Sequence, residues 1–380
     1  MGAAPQWRTM NRRTLLAAGV GTAALAAAVA ATWRGLGSST RYDAWARELR
    51  SPLVPALGAA EWVRYATLAA NSHNTQPWRF ELDGPAAQPR AITLVPAPDR
   101  RTPAVDPDDH HLHVSLGCAA ENLLLAATLS AQAGTLESAG PAGVRCAFAG
   151  RATAAAHALA EAIPWRQSTR AAYDTRPLAP AELAQLGQAA ALPGVDVVVL
   201  TDAARRARLR DLVVVGNMAQ WQDPAFVAEL RQWLRFNPAQ AMARGDGLFN
   251  ATTGNPSLPT WLGPLALRLA LRLAVRPASD SARQAALLDA SAGAVLLFAQ
   301  QDNAAGWVQV GRASQRLQLA ATRLDVRTSF LNQPVEVASL RAELARLAGL
   351  PGRRPDLVLR FGRGPRMPWS PRRPVTQVLT

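Results

Sequence analysis

A chain of 380 residues with 41 basic and 27 acidic side chains carries a formal charge of +14 and can bury one large core or two ordinary ones. Its 49% hydrophobic and 18% charged content is that of a globular protein and excludes an intrinsically disordered one. The arginines are scattered, and no zinc-finger, RNP or helix-turn-helix signature accompanies them, which argues against nucleic acid as a partner.

In chain order, the first feature is "NRRTLL" at 11–16, where Arg12 and Arg13 precede an uncharged stretch from Thr14 to Trp33. Small residues at Ala28 and Ala30 supply an A-x-A-like cleavage site. The segment resembles a twin-arginine export signal, an address for proteins exported already folded. Residues 1–37 are therefore expected to engage the twin-arginine translocation machinery and deliver the chain to the periplasm. At 20 uncharged residues, 14–33 is also long enough to stay as an inner-membrane anchor facing the periplasm. A chance arginine pair and an ordinary Sec signal are the competing readings.

A linker and leading helix start at Ser38, and EWVRYATLAA (61–70) reads as a helix with Trp62, Tyr65, Ala66 and Ala69 on one face. "NSHNTQPWRF" (71–80) then ends it: Pro77 stops the helix and RFEL begins a strand. Next come strand AITLVPAP (91–98), helix HVSLGCAAENLLLAATLSAQ (113–132), strand GVRCAFAG (143–150) and helix TAAAHALAEAI (153–163). Past an arginine-rich segment lie helix AELAQLGQAAA (181–191) and strand VDVVVLTD (195–202). Residues 205–275 read as helical, interrupted by Gly and Pro. The chain closes with helix SARQAALLDAS (281–291), strand GAVLLFAQ (293–300), helix GWVQVGRASQRLQLAATRL (306–324) and strand DLVLRFGRG (356–364). This alternation predicts a layered α/β or α+β domain, of which the α+β form, a mixed sheet with helices on both faces, is the expected one. The pattern Gly-x-Ala-x-x-x-Leu-x-Leu-Ala-Ala-Thr recurs in two of the helices, 113–132 and 306–324, as duplication of a half-size unit would leave it.

Several clusters carry chemistry. The turn at 71–80 gathers the donors and acceptors of Ser72, Asn74 and Gln76, suited to a planar, hydrogen-bonding ligand; in the plain alternative these are turn residues and Trp78 and Phe80 enter a core. In "WRQSTRAAYDTR" (165–176), Arg166, Ser168 and Arg170 form R-x-S-x-R, two guanidinium forks and a hydroxyl that match phosphate or carbonyl oxygens. "SPRRPVTQVL" (370–379) sets Arg372 and Arg373 between prolines. "DPDDHHLHV" (106–114) holds Asp108, Asp109, His110, His111 and His113, but reads as a polar helix start whose aspartates favour the dipole; no metal is expected. Cys118 and Cys146 have no metal-ligand spacing and are expected as two buried thiols. In "TWLGPLALRLALRLAVRP" (260–277), Leu262, Leu265, Leu269 and Leu273 oppose Arg268, Arg272 and Arg276, as a lid over a pocket or a membrane-docking helix would. No Gly-rich phosphate loop or G-x-S-x-G elbow is present.

Together, the turn, the R-x-S-x-R and the C-terminal arginines resemble the nitroreductase family of flavin mononucleotide (FMN) proteins, and more closely its fused, Acg-like branch. The resemblance covers about residues 58–380 and is weakest in 214–280. It implies a three-layer α/β/α architecture with a mixed central sheet. The first half would span 38–163 and the second 164–380, with a lid-like insert at about 214–275, joined as an intrachain pseudo-dimer. It implies FMN held by Ser72, Asn74, Gln76, Pro77, Trp78, Arg79 and Phe80 from the turn, by Arg166, Ser168 and Arg170, and by Arg372 or Arg373. "TSFLNQPVEV" (328–337) lies where family members pass backbone beside flavin N5, without their Glu-Gly. The implied activity is that of an exported FMN-dependent oxidoreductase acting on nitroaromatics, quinones or a similar small-molecule acceptor. The resemblance assigns no catalytic residue. An FMN-storage protein with a closed pocket is the alternative, and a basic membrane-surface protein without flavin is a third reading.

Overall fold

A computed structural model of the chain describes residues 35–152, 154–272 and 275–380. The arginine pair and the uncharged stretch expected to direct export lie outside the described residues. Among the described residues no helix is long and apolar enough to cross a membrane.

Helices α1 (Ser39–Glu48) and α2 (Ala59–Thr67) lead into the first sheet. Its strands are β1 (Trp78–Asp83), β2 (Ala91–Pro96), β3 (Gln132–Gly140) and β4 (Gly143–Arg151), ordered β1-β2-β4-β3, with helix α3 (His110–Thr128) between β2 and β3. Helices α4 (Ala154–Ala160) and α5 (Pro180–Ala190) connect to β5 (Val195–Leu200). A helical excursion follows: α6 (Ala203–Gln222), α7 (Pro224–Trp233), β6 (Leu234–Arg235), α8 (Pro238–Arg244), β7 (Leu248–Phe249), α9 (Leu262–Arg272) and α10 (Val275–Asp289). The second sheet is completed by β8 (Gly293–Ala299), β9 (Arg327–Phe330) and β10 (Leu357–Gly362), with α11 (Ala304–Arg323) between β8 and β9 and the short helices α12 (Gln333–Glu336) and α13 (Arg341–Ala348) between β9 and β10. Its order, β5-β8-β10-β9, repeats that of the first sheet, with the long helix at the same point of the path.

The fold is α+β. Every pairing within the two four-stranded sheets is antiparallel among the described residues. The expected mixed character comes from parallel bridges at two edges, Phe80 with Leu379 and Ser168 with Thr328. Strands β8 and β10 are continuously buried because helices cover both faces, with α5 and α11 on one side and α6 and α13 on the other. The first sheet has one covered face. Phe80, Ile92, Leu94, Val144 and Cys146 point to the core, while Arg79 and Glu81 alternate outward.

Helices α3 and α11 cross at the centre, and α3 is buried along its whole length. The crossing is built on two glycines. A Cβ on Gly117 would lie 2.1 Å from the Val308 carbonyl oxygen, and one on Gly311 would lie 2.0 Å from that of Val114. The same sequence spacing separates Gly117 from Gly311 and Val114 from Val308, so the two contacts are reciprocal. Around them Glu121 pairs with Arg312 (2.9 Å) and Arg316 (2.8 Å), and Gln315 donates to Asn122 (2.7 Å). Cys118 and Cys146 are free, buried thiols.

Candidate functional site

The turn after α2 is strained backbone. His73, Asn74 and Gln76 all have positive φ (44°, 54° and 54°), a region that residues other than glycine enter at a cost. Side chains over-determine it. Asn71 Oδ1 accepts from the Gln76 N–H (2.8 Å), and Asn74 Nδ2 donates to the carbonyls of Gly247 and Pro371, each at 3.0 Å. Gln76 Nε2 donates to the Gly245 carbonyl (2.8 Å), and its Oε1 accepts from the Arg373 N–H (2.9 Å). The amides thus knit three distant segments together, and they position one charge directly: Arg372 Nη1 donates to Asn74 Oδ1 at 2.6 Å.

Beside this turn lies a polar cavity of about 30 Å³. Arg50 from the end of α1, Arg166, Ser168 and Arg170 from the segment after α4, Arg372 from the tail, and Asn74 line it. Backbone carbonyls hold the guanidiniums: Ala46 and Ser370 take Arg50, Leu68 takes Arg166, and Leu68, Ala69 and Pro371 take Arg372. No carboxylate lines this cavity among the described residues. Burial and mutual repulsion push Arg50 down to about 9 and Arg166 and Arg170 to about 10, and Arg372 falls in the same direction for the same reasons. Guanidinium groups do not give up their protons in water at such pH, so the shifts measure positive charge that lacks compensation. Arg166 Nε, Arg170 Nη1 and Arg372 Nε are buried with no hydrogen-bond partner. A small anion of phosphate chemistry satisfies both deficits.

Ala70, Asn71 and Arg170 also line a larger cavity of about 280 Å³. Its walls mix apolar side chains (Phe226, Leu230, Leu267, Phe330) with polar ones (His73, His111, Gln220, Arg283, Glu336). His73 is neutral, pushed down to about 4 by burial, then by His111 and Arg170, and its Nδ1 has no partner. Segment 329–333 and Glu336 form one wall, and residues of the helical excursion another.

The structure therefore brings Ser72, Asn74, Arg166, Ser168, Arg170 and Arg372 to the cavities. It does not bring the rest of the expected set there. Trp78 and Phe80 are wholly buried in the first core, because β1 turns those faces inward, and Arg79 points outward to Asp99. Gln76 is consumed by Gly245 and Arg373, and the Pro77 carbonyl accepts from Ala97. Arg373 donates to the carbonyls of Gln76 and Trp78 and is a structural brace. Arg50, Asn71 and His73 were not expected; Arg50 has no motif around it, whereas Asn71 and His73 sit inside the quoted turn. In α9 the packed side is Gly263 and Leu267, with Gly263 against the Phe236 ring, while Leu265 and Leu269 are exposed. The stripe expected to roof a pocket thus faces outward, and Leu267 does the lining; the side chains of Arg272, Leu273 and Arg276 lie outside the described residues.

Asp106, His110 and His111 offer three ligand atoms within 4.8 Å of one another. Their hydrogen bonds are already assigned. Asp106 accepts the N–H groups of His111 and Leu112 (both 2.9 Å), and His110 Nε2 meets Asp356 Oδ1 at 2.6 Å. Burial pushes His110 down to about 3 and Asp356 up to about 7, the behaviour of a buried pair that shares one proton.

The model of the nitroreductase family matches residues 163–363, from just before Arg166 to just past β10, which is more than half of the chain. The chain belongs to the nitroreductase family. Among the relatives of this nitroreductase-family protein is a Mycobacterium tuberculosis protein named as an NAD(P)H nitroreductase, 28% identical over 328 residues, 83% of this chain and 88% of that one. Similar solved structures include the FMN-dependent nitroreductase NfnB of Mycobacterium smegmatis in complex with NADPH (15% identity, 55% of this chain and 89% of that one, TM-score 0.34). Another is a nitroreductase with bound FMN from Desulfitobacterium hafniense (14% identity, 57% and 94%, TM-score 0.34).

Proposed function

We propose that this chain is an exported FMN-dependent oxidoreductase that reduces nitroaromatic, quinone or similar acceptors at one composite site between two fused half-repeats. The reading is carried by the arginine cavity, lined by no carboxylate among the described residues, together with the larger, mostly apolar-walled cavity that shares Ala70, Asn71 and Arg170 with it. The repeated strand order and the reciprocal glycines at the α3–α11 crossing support descent from one duplicated unit. FMN, when bound, would supply the redox chemistry by taking electrons from a reduced donor and passing them to the acceptor.

The residues have separable tasks in this reading. Arg50, Arg166 and Arg372 hold the phosphate as a dianion, with the Ser168 hydroxyl as a further donor. Asn74 fixes Arg372. Arg170, which lines both cavities, would offer its unpartnered Nη1 to negative charge on the bound flavin. Phe226, Leu230 and Leu267 exclude water from the larger cavity. A storage role remains the competing reading because the helical excursion walls that cavity. FMN-loaded protein mixed with NADPH or dithionite under argon, then with a quinone, separates them. Bleaching followed by recovery of the flavin absorbance marks an oxidoreductase; a flavin that none of the donors bleaches marks storage.

Export rests on Arg12 and Arg13. Replacing both by lysine should trap full-length protein in the cytoplasm, because the export receptor reads guanidinium pairs and not charge alone. Fractionation of cells expressing the variant checks this; undiminished export would leave a Sec signal standing. If 14–33 is retained, the mature protein should sediment with the inner membrane.

A further inference from the structure

We propose that Glu336 is the proton donor to the acceptor reduced in the larger cavity. The inference rests on the oxidoreductase reading and gives a role to a side chain of the 328–337 segment, for which that reading named only backbone.

The tautomer of His111 fixes the argument. His111 Nε2 lies 3.3 Å from the backbone carbonyl of Asp356, which accepts and never donates, so Nε2 carries the ring hydrogen. In the neutral imidazole, Nδ1 then presents a lone pair, and it faces Glu336 Oε1 at 3.8 Å. Two acceptors face each other unless the carboxyl is protonated. Glu336 Oε2 is already taken as acceptor by Gln220 Nε2, which leaves Oε1 to carry the proton, and at 3.8 Å from Nδ1 it makes no hydrogen bond to the ring. The surroundings agree. Burial raises the Glu336 pKa, Asp106 and Glu229 raise it further, and His111 and Gln220 oppose them. Arg341, the cation that follows on the next helix, spends its Nε on the Val335 carbonyl. Glu336, His111 and Gln220 all line the cavity, so the acid is held at the wall of the space an acceptor would occupy.

The step balances. A quinone takes a hydride equivalent from the reduced flavin and one proton from Glu336, giving the hydroquinone. A nitro group takes the same hydride and proton, and a nitroso product and water leave. In each case the Glu336 O–H bond breaks, an O–H bond forms on the acceptor oxygen, and the carboxylate left behind is reprotonated by water when product departs. Activity dependent on this acid is full below the Glu336 pKa and lost as pH rises through it.

The test compares wild type with Glu336→Gln and, separately, His111→Gln, after FMN uptake has been measured for each. Quinone reduction by pre-reduced protein should fall about a hundredfold in Glu336→Gln. Its alkaline limb and solvent isotope effect should vanish, while reduction of ferricyanide, which takes electrons and no proton, stays unchanged. The infrared carbonyl band of a protonated carboxyl should be present in flavin-free wild type and missing from Glu336→Gln. His111→Gln should move the alkaline limb of quinone reduction to higher pH, because His111 opposes the raised Glu336 pKa. Equal losses with quinone and ferricyanide, an unaltered quinone rate, or a wild type without the band overturn the assignment. Failure of wild type to take up FMN sinks the oxidoreductase reading itself and this proposal with it.

Discussion

Arg166→Ala should weaken FMN binding about ten- to hundredfold, and Arg372→Ala at least as much. Each removes a charge-assisted bond to phosphate worth about 1.5–3 kcal/mol. Arg372 also holds the Leu68 and Ala69 carbonyls and Asn74, so its loss loosens the turn that shapes the cavity. The flavin-free protein should respond differently. Arg50, Arg166 and Arg372 repel one another with no carboxylate among the described residues lining their cavity, so removing one relieves repulsion even as it strips the Leu68 carbonyl of a donor. Inorganic phosphate should therefore raise the melting temperature of flavin-free wild type through mass action and do so less in either variant. Arg166→Lys keeps the charge but not the fork and should fall between. Titration by flavin fluorescence reads all three; affinities within about twofold of wild type, under half a kcal/mol, would remove the phosphate from this cavity.

Gly311→Val should destabilise the protein by about 3 kcal/mol or more, and Gly311→Ala should also destabilise it. Helix propensity alone predicts the opposite sign for the alanine variant, a gain of roughly 1 kcal/mol from replacing a glycine within a helix. Packing wins because the new Cβ would stand 2.0 Å from the Val114 carbonyl oxygen, backbone that cannot swing aside within a helix buried along its length. Gly117→Ala meets the reciprocal contact at 2.1 Å. One outward shift of α3 from α11 relieves both clashes, so the double alanine variant should cost less than the sum of the singles. Urea midpoints at constant slope measure it. A Gly311→Ala variant as stable as wild type would mean that the two helices do not meet there.

Much of this architecture is legible in the residues because it rests on local signals. The mainly apolar runs within 195–202 and 293–300 appear as β5 and β8, and the recurring Gly-x-Ala pattern falls on the two helices that cross. β3 escaped because QAGTLESAG has Gly and Ala where a strand usually carries branched side chains, and its register with β4 shifts twice, between Gln132 and Gly134 and between Leu136 and Ser138. β9 escaped because four residues, RTSF, give too short a period to read. At the candidate site, the turn and R-x-S-x-R place five of their expected residues at the cavities and the C-terminal arginine pair places one, since motif spacing carries backbone position. Direction is another matter. Gln76 and Arg373 are polar residues whose partners lie far along the chain, and only the folded tail shows that they satisfy each other. Arg50 is the mirror case: an ordinary arginine near the end of a surface helix becomes part of an anion site because the tail, arriving from 320 residues away, closes over it.

The central claim is one FMN held across both halves, and titrating the purified, flavin-free protein with FMN tests it most directly. Absorbance, fluorescence and equilibrium dialysis should give saturation at one FMN per chain, with a shifted flavin spectrum and binding weakened by Asn74→Ala from the first half and Arg166→Ala from the second. No uptake, or saturation at two per chain, would contradict it.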